Sequence, residues 1–175
     1  MVADVAGIEF PQPAAPDALH VMERVDGGPT TDFGAPGTPT SEDARPLAGG
    51  DLERQLALLA AAWSTFDGAV AAGSGVTLRT GPRGGGRDLE RMVAHVREAE
   101  AAYLAKLGSR RPREPDAAAQ MALIRSTALK TLEARAGGRA PTEPSRTRDP
   151  WSPRYFVRRS AWHALDHAWE IQDRS

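Results

Sequence analysis

The stretch Ser160-Ala161-Trp162-His163-Ala164-Leu165-Asp166-His167-Ala168-Trp169-Glu170 decides how this chain is read. His163 and His167 stand four residues apart, so on a helix their side chains stack on one face about a turn apart. Phe156, Ser160 and Ile171 share that face, which therefore points inward. Pro153 suits the first turn of such a helix, and the period predicts it from Arg154 to about Asp173.

Working outward, three earlier segments carry the same period. Asp51 is the expected N-cap of a helix with Leu52, Leu56, Leu59, Trp63, Phe66 and Val70 on one stripe, stopped by Gly73 and Gly75. Asp88 caps a second, with Met92, Val96, Ala99 and Tyr103, closed by Gly108 and Pro112. A third starts near Pro115-Asp116, runs through Met121, Ile124, Leu129 and Leu132, and ends at Gly137-Gly138. Four amphipathic helices make an all-α four-helix bundle over residues 50–175 the natural architecture. The connection from Arg139 to Ser152 is long, so not every helix need pack antiparallel to its sequence neighbour.

Residues 1–49 differ. They hold seven of the fourteen prolines and read as an extended Pro/Gly-rich arm. Ala18 to Val25 is the one expected strand, stopped by Asp26-Gly27-Gly28-Pro29. Phe10 and Phe33 suggest an arm that docks at points.

Composition narrows the function classes. The 175 residues carry a net charge of -1, so no global field recruits nucleic acid or an anionic membrane. The chain has no cysteine, which excludes a disulfide framework, a zinc ribbon, an iron–sulfur site and a cysteine nucleophile. Met1 to Val5 lacks the features of a signal peptide. The longest apolar run, Leu56 to Trp63, is too short to span a bilayer. The expectation is a cytoplasmic soluble protein, as a monomer or homodimer, acting on a small molecule.

His95 lies mid-way along the second helix, at the edge of its apolar stripe. With His163 and His167 it makes three histidines on two helices, all leaning toward the core, and bundle cores build metal sites in this way. A lone core histidine is usually a hydrogen-bonded packing residue, and on the residues alone the two readings stand level for the pair. Three buried neutral imidazoles would each need a partner, and one shared divalent ion satisfies all three.

Two sharper motifs fail. A metallopeptidase H-E-x-x-H needs Glu where Ala164 stands. The inverted form needs Glu before its second His, where Asp166 stands, and a distant third ligand. The glycine run Gly81 to Gly86 is followed by Arg87-Asp88 where a P-loop needs Lys-Ser/Thr. Its amides, with Arg83 or Arg87, could still hold an anionic group; a plain interhelical loop is an equal reading. Of Arg158 and Arg159, one facing the cavity would pair with a substrate carboxylate, Glu98 or Glu100, and the plainer reading is that at least one of them is solvated. Asp166 and Glu170 are candidates for hydrogen bonds to the histidines; an exposed face is an equal reading for both. Trp162 and Trp169 read as core or interface.

The residues Met92-Val93-Ala94-His95-Val96, Ala99-Glu100, Arg158-Arg159, Trp162-His163 and Leu165-Asp166-His167-Ala168-Trp169-Glu170 together resemble the DinB-like (DinB/YfiT) superfamily over residues 50–175. The resemblance implies a four-helix bundle whose metal is bound by one His from the second helix and an H-x-x-x-H pair from the last, here His95, His163 and His167. It also implies a function class, since several such proteins are thiol-dependent transferases or isomerases using mycothiol, bacillithiol or glutathione. With no cysteine in the chain, the thiol would be a cosubstrate. The Arg-rich, high-GC composition suits an actinobacterial source and favours mycothiol. The chain is also similar to longer actinobacterial proteins in which a small domain precedes the arm, which implies a shortened form.

Three functions follow as expectations. The first is a metal-dependent S-transferase, with Arg83, Arg87 or Arg159 binding substrate. The second is a hydrolase on the same histidines, with Glu98, Glu100 or Asp166 as proton shuttle. The third is a non-catalytic metal-stabilised binding module. Three imidazoles suit Zn, Ni and Fe, and equally cobalt and copper.

Overall fold

A computed structural model describes residues 7–9, 13–81 and 86–175. Four helices follow one another along the chain: α1 (Gly49–Ala72), α2 (Leu89–Lys106), α3 (Ala117–Ala136) and α4 (Pro153–Arg174). Single 3-10 turns at Pro16–Ala18, Thr31–Phe33 and Glu42–Ala44 precede them. The fold is all-helical, a four-helix bundle as the periodicity predicts. Among the described residues there is no strand, only an isolated bridge between Ser109 and Pro144.

The strand expected over Ala18–Val25 does not form. Leu19, Val21, Met22 and Val25 are exposed there, Met22 at 91%. A strand exists only by pairing its backbone with another, and among the described residues no strand partner lies alongside. Phe10 lies outside the described residues.

Local sequence explains most helix starts. Asp88 accepts a hydrogen bond from the Arg91 amide at 2.8 Å, Asp116 from Ala119 at 2.7 Å and Ser152 from Tyr155 at 3.3 Å, each satisfying an orphan N–H of a first turn. Pro153 opens α4. The start of α1 differs from expectation. The helix begins before Asp51, and Ala48 holds the N-cap position without a side-chain bond. Asp51 instead sits in the first turn, where the helix dipole favours it, and pairs with Arg154.

Contacts along the helices give their directions. Asp51, near the start of α1, meets Arg154, near the start of α4, and Gly73 and Ile171 meet at the other end, so α1 and α4 are parallel. The Lys106 carbonyl at the end of α2 accepts from Trp151, just before α4, at 2.7 Å, so α2 and α4 are antiparallel. Glu100 pairs with Arg125, and the Leu107 carbonyl with Arg135, so α3 runs parallel to α2. The bundle is therefore up-down-down-up. The α1–α4 pair is the most extensive packing, followed by α2–α4 and α2–α3. The loop 107–116 returns along α3, which is how sequence neighbours come to lie parallel. Leu59, Phe66, Met92, Val96, Leu104, Ile124, Leu132, Phe156 and Ile171 fill the core.

The second half of the arm is pinned to the start of α4. The Tyr155 hydroxyl donates to the Gly37 carbonyl at 2.8 Å, and Arg154 to the Arg45 and Pro46 carbonyls at 3.1 and 3.0 Å. Arg158 donates to Thr38 and is held by the buried Asp43 carboxylate. Burial acts to raise the Asp43 carboxyl, but hydrogen bonds from Arg158 and Thr40 outweigh it and the net shift is downward.

Inside the bundle, Glu100 forms a two-pronged pair with Arg125 at 3.0 and 3.2 Å, and Arg125 also holds Asp67 at 2.8 Å. Glu100 is 4% exposed, so this pair ties α2 to α3 and reaches α1.

Two outcomes follow. The Asp43 pair stabilises the fold at neutral pH, and that contribution is lost as the pH falls through the ordinary carboxyl value of 3.8 towards the lower folded value. Asp43→Asn should remove about 1 kcal/mol at neutral pH, Arg158 being partly solvated. It should also flatten the fall in thermal midpoint on acidification. Glu100→Ala should cost about 3 kcal/mol in urea unfolding, because it strips a buried guanidinium of one partner.

Candidate metal centre

α2 and α4 cross antiparallel, which brings the second turn of α2 against the middle of α4. The ring centroid of His95 lies 5.2 Å from that of His163 and 5.1 Å from that of His167, and the α4 pair is 4.6 Å apart. One nitrogen from each of the three rings falls within 4.8 Å of the others. His163 and His167 are buried and His95 is half-buried.

The chemistry of the cluster suits a cation held by neutral imidazoles. Burial, then the charges of His167, His95, Arg159 and Arg87, push the His163 imidazole down to about 3. His95 is also lowered, by burial first and then by Arg87 and His167, against the opposite pull of Glu98 and Glu170. Neutral rings have lone pairs to offer, and no proton need be displaced from them. Nδ1 of His163 is buried with no hydrogen-bond partner among the described residues, a gap of the kind that an ion or ordered water fills. A tetrahedral ion at about 2.0–2.1 Å from each nitrogen places its donors about 3.3 Å apart. Small imidazole rotations would close the cluster to that spacing, so the donor set fits a divalent metal.

Around the histidines the structure sorts the other expected residues. Glu170 Oε2 lies 3.0 Å from His167 Nδ1. Asp166 is half-buried with no hydrogen bond to a described residue; burial raises its carboxyl, Glu170 adds to this, and His167 and Arg159 oppose it. Glu98 is exposed on α2, and its charge acts on His95. Both Glu100 oxygens accept from Arg125, so its carboxylate is engaged by α3 rather than by a histidine.

Of the arginines, Arg158 belongs to the arm through Asp43. Arg159 faces the site. Its guanidinium lies over the Tyr103 ring at 5.2 Å and the Trp162 ring at 4.9 Å, and Nη1 is buried without a partner among the described residues. Tyr103 in turn meets the His163 ring edge-on at 5.6 Å. Arg87 is exposed just before α2, with its charge felt at His95 and His163. Arg83 lies outside the described residues. Trp162 packs against Arg159, whereas Trp169 is 49% exposed and is not core.

Three residues of the site's surroundings escaped sequence reasoning as such. Tyr103 read only as a core stripe. Arg174 pairs with Glu170 at 2.7 Å, and its i,i+4 spacing was the available signal. Arg79, which meets Arg174, comes from the segment after α1 and carries no local signal.

No family model, curated protein or solved structure matches the chain. No described helix is long and apolar enough to cross a membrane.

Metal binding has a direct readout. Zn2+ or Ni2+ at about one hundred times its Kd should stabilise the fold by about 2.7 kcal/mol, seen as a raised thermal midpoint. His95→Ala and His163→Ala should abolish the rise, and elemental analysis should find one ion per chain in the parent protein only.

Proposed function

We propose that this protein is a metal-dependent S-transferase of the DinB-like type, acting in the cytoplasm with a low-molecular-weight thiol, of which mycothiol is the favoured form. The observation that carries the reading is the convergence of His95, His163 and His167 on one point in a chain that has no thiol of its own. Three protein ligands leave a fourth position for an exogenous group. When bound, a divalent ion such as Zn, Ni or Fe supplies a Lewis-acid centre that makes a thiol or a water nucleophilic at neutral pH.

The chain's own residues supply orientation and charge. Arg159, with its guanidinium against the Tyr103 and Trp162 rings, has a buried Nη1 without a described partner that can donate to a carboxylate of the substrate or cosubstrate. Arg87 adds positive charge just before α2 and favours anionic substrates, and Arg83 is a further candidate from the sequence. In the transfer, the thiol sulfur bonds to an electrophilic carbon. The leaving group departs from that carbon with the bonding pair, and the thiol proton passes to solvent.

A second reading is hydrolysis on the same histidines. It is favoured by Asp166, which of the three expected carboxylates is the half-buried one without a described partner. A partner-binding module stabilised by metal, with no turnover, is the third.

The test is thiol consumption by metal-loaded protein offered mycothiol or glutathione with a panel of carboxylate-bearing electrophiles. Turnover should depend on metal and vanish in His163→Ala. Arg159→Gln should raise KM for anionic substrates about tenfold, as loss of a charge-assisted hydrogen bond does. Stoichiometric metal with ester or amide hydrolysis and no thiol consumption would move the assignment to the hydrolase.

A further inference from the structure

We infer that Arg174, the last helical residue of α4, is a positioning residue for the metal centre. Through Glu170 it holds His167 as the Nδ1–H tautomer, leaving Nε2 for the ion, and it couples metal affinity to the segment that follows α1. The inference rests on reading the histidine cluster as a metal site.

The Arg174 side chain is 8% exposed, and a buried guanidinium must be paired. It has two partners. Nη1 donates to Glu170 Oε1 at 2.7 Å, and Nε donates to the Arg79 carbonyl at 2.7 Å. Arg79 returns the contact. Its amide donates to the Arg174 carbonyl at 2.7 Å, and its Nη2 to the Asp173 carbonyl at 2.6 Å. The end of α4 and the strap after α1 are thus clasped by hydrogen bonds in both directions.

Glu170 carries the clasp to the histidines. One of its oxygens is held by Arg174, and the other lies 3.0 Å from His167 Nδ1. A carboxylate only accepts, so Nδ1 is the donor, and the lone pair of a neutral ring is then on Nε2. Carboxylate partners of this kind fix the ring and raise its basicity as a ligand. The Glu170 side chain is 32% exposed, and released from Arg174 it would be free to turn to water. His163 provides the contrast, because its Nδ1 has no such partner among the described residues.

Gly86 offers a way to disturb Arg174 without altering its charge. Its φ is +139°, and a Cβ there would lie 2.5 Å from Arg174 Nη2 and 2.6 Å from Cζ. Alanine also disfavours that φ, so Gly86→Ala must shift the guanidinium, the backbone at 86, or both, and either loosens the packing around Arg174.

Two measurements on the full chain test the inference. In the metal-free protein, two-bond 1H–15N spectra report the His167 tautomer. It should be Nδ1–H in the parent and shift towards Nε2–H in Arg174→Gln, Glu170→Gln and Gly86→Ala, with Arg174→Lys partly restoring it. Zn2+ titration against a competing chelator should show at least a tenfold loss of affinity in the same three variants. Should Arg174→Gln fail to fold, Gly86→Ala and Arg174→Lys carry the test. A purely structural anchor would lower the thermal midpoint while leaving tautomer and affinity within twofold of the parent, and that result overturns the inference. If the parent binds no Zn2+ while the tautomer still follows Arg174, the metal reading falls and the positioning role stands.

Discussion

The rotational setting of α4 is the constraint on which the rest of the molecule depends. Val157, Ala164 and Ala168 are buried in the core at 2% exposure or less. Once that face is turned inward, the helical period leaves no freedom to its neighbours. His163 and His167 come to the edge that looks at α2, Arg154 and Arg158 to the side that receives the arm, and Trp169 to solvent. A single amphipathic helix thus carries about a quarter of the buried core, two of the three clustered histidines and the anchor of the N-terminal segment.

Charge is handled in two different ways in this protein. Arg125, Arg158 and Arg174 are each held by carboxylates, respectively Glu100 with Asp67, Asp43, and Glu170. A buried or half-buried cation without such a partner would be costly. The histidine cluster is the opposite case. His95 and His163 are kept neutral by burial and by nearby positive charge, and the cluster presents lone pairs. Arg159 stands between these two modes, stabilised by two aromatic faces, with one N–H still to be satisfied. Together these features set three histidines that could hold a cation beside an arginine with an unsatisfied nitrogen.

The bundle's direction of travel bears on the site as well. Because α2 and α4 are antiparallel, His95 near the start of one meets the middle of the other, and Tyr103 further along α2 reaches Arg159 towards the start of α4. The site is therefore a strip along the α2–α4 seam. Its other end is closed by the clasp between Arg174 and Arg79, so a segment remote in sequence from every histidine touches the hydrogen-bond chain that orients one of them.

The sequence by itself determined the helices and singled out the three histidines that the fold brings together. The apolar period, the caps at Asp88, Asp116 and Ser152, and the spacing of His163 and His167 are local properties, written within one or two turns. The helical class needed nothing else. Where local and tertiary interactions compete, the tertiary ones prevail. Asp51 has the chemistry of a cap but pairs with Arg154, distant in sequence. The alternating Ala18–Val25 has no strand partner among the described residues. Glu100 sits only five residues from His95, yet its carboxylate goes to Arg125 on another helix. Only the tertiary structure decided which carboxylate serves the histidines, which arginine faces them and how the arm is fastened. The physical reason is that hydrogen bonds and ion pairs between helices depend on rotation and register, which a periodic pattern specifies for each helix but not for the pair.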